Sequence, residues 1–79
     1  HITNSRSLIL YIWLSIKKEL ERWMKDRGDI IVPETEVDMA FNRLKEQIEN
    51  KKVNWNIILK RYEEMMPQVA DENDLLRML

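Results

Sequence analysis

Only three residues in this chain are strong helix breakers: Gly28, Pro33 and Pro67. Tight turns between strands draw heavily on glycine and proline, so a 79-residue chain with so few of them favours long helices over hairpins. The breakers mark off a first helix running to about Arg27, a long middle stretch and a short tail. The polar run Asn50, Lys51 and Lys52 divides the middle stretch again. The expected fold is all-α: a small bundle of three main helices plus a short C-terminal helix.

A chain of this length forms one domain and buries only roughly 60–65% of its unfolded surface, so each core residue counts. There is no cysteine, so neither a disulfide nor a thiolate metal site can reinforce the core. The absence fits a reducing compartment, and the expected location is intracellular. His1 stands first, not Met. The expectation is a single helical domain, residues 1–79, cut from a larger protein, with residues 1–5 foreign to it or disordered.

Local signals place the helices. Ser5 or Ser7 is a candidate cap for the first, and Gly28 is its stop signal, with Lys25 and Arg27 suited to the negative end of the helix dipole. Ile9, Trp13, Ile16, Leu20 and Trp23 recur by four and three and define one face. The connector DIIVP, residues 29–33, is read as extended, its apolar side chains closing one end of the bundle. Thr35 with Asp38 is the expected cap of the second helix, which carries Val37, Phe41, Leu44 and Ile48 on one face, with Ala40 beside them. Asn54 caps the third, whose apolar positions are Trp55, Ile58, Leu59, Tyr62, Met65 and Met66. Lys60 and Glu64 form an expected i,i+4 pair. Asp71 caps a last helix ending in LLRML, residues 75–79.

The same residues argue against several chemistries. The only histidine is His1 and cysteine is absent, so neither a Cys–His nor a Ser–His nucleophile can be assembled. The carboxylates fall mainly on polar helix faces, and the chain is read as non-catalytic. No ligand spacing matches zinc or an EF-hand, and one glycine cannot form a phosphate-binding loop. No metal and no cofactor is expected. The longest apolar run, LILYIWL, has seven residues against the roughly 20 that a membrane span needs, so no membrane partner is expected. A net charge of −1 and a pI near 5.8 weigh against a dedicated nucleic-acid binder.

Some motifs have a functional reading. Arg-Gly-Asp at 27–29 resembles an adhesion tripeptide, but a helix C-terminus capped by glycine explains it locally. LLRML resembles a short leucine motif that docks in grooves, although such leucines more often pack on their own domain. The second and third helices can be read as a helix-turn-helix. Asn54, Asn56 and Lys60 would then face the major groove, with Lys51 and Lys52 at the backbone. Glu63 and Glu64 on the same helix oppose that reading. The three tryptophans are assigned to the core. Charge also segregates: residues 17–27 carry five positive and three negative charges, residues 29–49 two and six.

One segment resists the ordinary pattern. In LILYIWLSI, residues 8–16, eight of nine residues are apolar. Stepping 100° per residue puts Ile9, Ile12, Trp13 and Ile16 on the inner stripe, with Leu8 at its edge. Leu10, Tyr11 and Leu14 fall on the outer face, where the rest of the helix carries Lys17, Lys18, Glu21, Arg22 and Lys25. Leaving them in water forgoes roughly 1.5–3 kcal/mol for each large apolar side chain. Either the last helix folds back so that Leu75, Leu76, Met78 and Leu79 cover them, or a second chain does. The second chain is favoured. The expected function is a protein-interaction or dimerisation module using Leu10, Tyr11 and Leu14, with Lys17 and Lys18 at the rim. A homodimer is preferred to a monomer, and a nucleic-acid-binding regulatory domain is the alternative.

Overall fold

The computed structural model describes residues 5–28 and 31–79, with only the backbone given for Ser5. All regular structure among them is helical. α1 spans Ser5–Asp26, α2 Glu34–Asn50 and α3 Trp55–Met65; a 3₁₀ turn, Met66–Gln68, leads to α4, Glu72–Met78. Residues 1–4, expected to be foreign or disordered, lie outside the described residues. Ser5, grouped with them, already belongs to α1, and Ser7 lies within the helix instead of capping it.

The inner stripe of α1 organises the core. Ile12, Trp13, Ile16, Leu20 and Trp23 are buried, with Ile9 and Met24 packed at the margin. α2 and α3 both pack against α1. The α1–α2 pairing is antiparallel: Trp13 meets Phe41 edge-on at 6.0 Å, and Lys17 reaches back to Asp38. Trp13 also meets Trp55 at 5.4 Å, which joins the start of α3 to the same aromatic group. α2 contributes Leu44 and Ile48 to the core, and α3 contributes Ile58, Tyr62 and Met65. The assignment of the tryptophans to the core holds for Trp13 and Trp23, and Trp55 is half-buried against it.

The ends of the helices show which local signals operate. α1 stops where Gly28 takes φ 103° and its N–H bonds the Lys25 carbonyl at 3.0 Å. That backbone region suits glycine, and it gives the tripeptide at 27–29 its structural reason. Asp29 and Ile30 lie outside the described residues. Of the rest of the connector, Ile31 is 82% exposed and does not plug the bundle; Val32 is half-buried. Thr35 is not the cap of α2. Pro33 takes that position with extended backbone, and its carbonyl accepts from the N–H groups of Glu36 and Val37 at 3.0 and 3.2 Å. Proline has no N–H to leave unsatisfied here, so the helix starts earlier than the Thr35 signal implies. Asn54 does cap α3, accepting from the Asn56 N–H at 3.0 Å, and Asp71 caps α4 through the Asp74 N–H at 2.9 Å.

The position of α4 decides how the apolar outer face of α1 is left. α4 packs on α2, and its last residues, Met78 and Leu79, line a cleft with Asn54, Ile57 and Arg61 of the α3 region. Leu75 is completely buried there, and Leu76 and Leu79 pack against the core. The N-terminal end of α4 is fixed to the end of α1 by Arg27, whose guanidinium donates to both carboxylate oxygens of Glu72 at 2.9 and 3.0 Å. The leucines of LLRML are thus used within the domain, and they do not cover Leu10, Tyr11 and Leu14.

Candidate functional site

The outer face of α1 changes character part-way along. In its first half Leu10 is 62% exposed, and Tyr11 and Leu14 are each 63% exposed. They cluster on one side of the helix, over about 6 Å of its length at 1.5 Å per residue. In the second half the same direction is charged and, apart from Lys18, internally paired. Lys25 reaches Glu21 at 3.2 Å, and Arg22 pairs with Glu19 and, at 3.9 Å, with Asp26. The Glu19 carboxylate accepts from Arg22 and raises its pKa further above the ordinary range. Four positive charges of residues 17–27 are therefore neutralised inside the monomer: those of Arg22 and Lys25, with Lys17 on Asp38 and Arg27 on Glu72.

Lys17 and Lys18 differ accordingly. The Lys17 ammonium lies 2.6 Å from the Asp38 carboxylate and 5.9 Å from the centre of the Phe41 ring. Its hydrogen bond to Asp38 raises its pKa. Lys17 is thus a brace between α1 and α2. Lys18 is exposed and, among the described residues, makes no salt bridge. Of the five residues named for the face, Leu10, Tyr11, Leu14 and Lys18 point away from the core, and Lys17 holds the two helices together.

Beside the face runs the α1–α3 seam. One cleft of about 220 Å³ is bordered by Leu8, Tyr11, Leu59, Lys60 and Glu63. A second, of about 330 Å³, is bordered by Tyr11, Glu19, Arg22, Glu63 and Met66. Tyr11 and Glu63 belong to both. Tyr62 lies beneath, buried by α1. Burial pushes its phenol above the ordinary value, with the Ser15 side chain acting in the opposite sense. The two hydroxyls do not reach hydrogen-bond geometry. Among the described residues the Tyr62 oxygen has no partner, and neither does Trp23 Nε1.

The alternative site occupies the other end of α3. Lys51, Lys52, Asn54, Asn56 and Lys60 are all exposed. Asn54 spends its side-chain oxygen on the cap of α3. Lys52 takes φ 53°, the left-handed conformation that a glycine normally supplies in such a turn. The Lys60–Glu64 pair expected on the helix surface is not formed among the described residues.

Three features went unread in the sequence: the exposed Met39, the exposed Ile57, and the cleft of about 280 Å³ where Ile57 and Met78 meet Arg61. The angular reading that isolated Leu10 and Leu14 also finds the first two, since neither lies on the inner stripe of its helix. No group of three or more His, Asp or Glu residues among the described ones could hold a metal, and no described helix is long and apolar enough to cross a membrane. Comparison with protein-family models, with curated proteins and with solved structures returned no match.

Proposed function

We propose that this chain is a non-catalytic interaction module that associates with a second copy of itself through the outer face of α1. One observation carries the reading. Leu10, Tyr11 and Leu14 stand exposed together on one helix face, while the short helix α4, which the sequence offers as a cover, packs on α2 and the start of α3. A cluster of large apolar side chains in water favours association over isolation. Three side chains fall well short of the roughly 800 Å² per partner of a standard interface, so the association is weak and flanking residues share in it. Sedimentation from about 10 µM to 1 mM protein tests it. The expected result is a mass that rises with concentration and stays monomeric in a Leu10→Ser/Leu14→Ser variant of unchanged helicity. A wild-type chain that remains monomeric throughout removes the reading.

The nucleic-acid alternative has one observation in its favour. Lys51, Lys52 and Lys60 make no salt bridge among the described residues, whereas most cations of α1 are paired within the chain. Against it, Glu63 and Glu64 are exposed on the same helix. A mobility shift of labelled duplex DNA or RNA that weakens steeply with salt supports this alternative; no shift at low salt eliminates it.

A further inference from the structure

We infer that two copies associate with their α1 helices antiparallel, centred on Leu14, and that Lys18 of each copy pairs with Glu63 of the other. This rests on the reading of the outer α1 face as a self-associating surface and adds its geometry. Ser7, Tyr11, Leu14, Lys18, Glu21 and Lys25 recur by four and three, so they form one continuous row along α1. A second α1 can lie along that row in either direction.

Charge separates the two directions. In a parallel, in-register pair Lys18 faces Lys18, Glu21 faces Glu21 and Lys25 faces Lys25, and like charges set directly opposite one another repel. In the antiparallel pair Leu14 meets Leu14, Ser7 meets Glu21, and Lys18 lies over Leu10 and Tyr11 of the second copy. The lysine stem can then cover apolar surface while its ammonium approaches the tyrosine ring.

The surroundings of Tyr11 add a specific partner. Glu63 borders both clefts that Tyr11 borders. Neither Glu63 nor Lys18 makes a salt bridge within the chain, among the described residues. Within one chain Lys18 is seven residues from Tyr11, about 10 Å along the helix. The antiparallel two-fold returns Lys18 of the second copy to Tyr11 on the side where α3 lies, because that symmetry leaves both α3 helices on the same edge of the pair. Two charges left over in each monomer thereby meet across the interface. The parallel arrangement puts the α3 helices on opposite edges and brings no such pair together.

The chain contains no cysteine, so single introduced thiols report the direction of pairing cleanly. Ser7→Cys and Glu21→Cys chains, mixed and oxidised at a concentration where the mass has risen, are expected to form the mixed 7–21 disulfide in excess over either self-pair. In parallel, Lys18→Glu and Glu63→Lys are each expected to weaken association about tenfold, because two-fold symmetry counts each pair twice, and the double reversal Lys18→Glu/Glu63→Lys to restore it to within about threefold. Predominant 7–7 and 21–21 disulfides overturn the antiparallel direction while leaving self-association in place. A mixed disulfide without recovery in the double reversal overturns the Lys18–Glu63 pairing. No disulfide, together with a mass that never rises, overturns self-association itself.

Discussion

The two halves of α1 solve the problem of an outward-facing surface differently. From Lys17 onward, the outer residues are charged and, apart from Lys18, bonded to their neighbours: Glu21 to Lys25, Glu19 and Asp26 to Arg22, Asp38 to Lys17. Before Lys17 they are Leu10, Tyr11 and Leu14, exposed to a similar degree and, among the described residues, covered by no other element of the bundle. The inner stripe shows no such division, since Ile12 and Trp23, near its two ends, are both buried. The core therefore does not require the apolar outer half. The exposed apolar residues are confined to the first three turns or so of the helix.

The sharpest way to break this contrast compares identical side chains. Leu20 is completely buried and Leu14 is 63% exposed, six positions apart on one helix. Leu20→Ala is expected to destabilise by about 2–5 kcal/mol, as large-to-small core changes do, and Leu14→Ala by no more than about 0.5 kcal/mol in the monomer. Urea unfolding at a concentration below association measures both. Similar losses at the two positions would mean that the outer face is covered within one chain.

The two tyrosines carry the comparison across the α1–α3 seam. Tyr11 is exposed, whereas Tyr62 is buried with an unpartnered hydroxyl among the described residues. Removing that oxygen leaves no donor stranded, so Tyr62→Phe is expected to be neutral or stabilising by up to about 1 kcal/mol at pH 7. It also alters the alkaline limb. Burial raises the folded-state pKa of Tyr62 above its ordinary value of 10.0. The neutral phenol is therefore favoured in the folded chain. Its contribution is fully present below pH 10.0 and is lost as pH rises through the raised value. Stability measured between about pH 9 and 11 should fall less steeply in Tyr62→Phe than in the wild type. Equal slopes would show that the phenol is not held neutral by burial.

The smallest effect belongs to the charged half. Glu21→Ala removes an exposed i,i+4 pair with Lys25 and is expected to cost about 0.3–0.5 kcal/mol at low salt. Much of that difference should vanish in 1 M NaCl, where the Debye length falls to about 3 Å. A larger, salt-insensitive loss would indicate that Glu21 packs against something more than its own helix.

The sequence made the helices legible because each is amphipathic and three of the signals at their ends act alone: Gly28, Asn54 and Asp71 need only their immediate neighbours. It failed at Thr35, since the Pro33 carbonyl, accepting from the Glu36 and Val37 N–H groups, takes over the cap two positions earlier. β-Branched residues before a proline resemble a buried extended segment, yet Ile31 stands in solvent. The direction of α4 was illegible for a different reason. Its placement depends on Arg27 and Glu72, 45 residues apart, and on a space between α2 and α3 that no periodicity records. Leu10, Tyr11 and Leu14 could be singled out from angle alone. Glu63 could not, because its nearness to Tyr11 arises from the packing of α3 on α1.

The Arg27–Glu72 contact has a consequence for the order in which the structure comes apart. α4 has only seven residues, and a helix that short does not persist alone in water. It lasts only while Leu75 is seated and its first turn is moored to the last turn of α1. Its amides from Asp74 to Leu79 should therefore exchange with solvent together and earlier than those around Leu20, with the ion pair acting as a latch on the first door to open. The protein thus carries its own strain gauge: whatever loosens the far end of α1 registers first in the C-terminal turn.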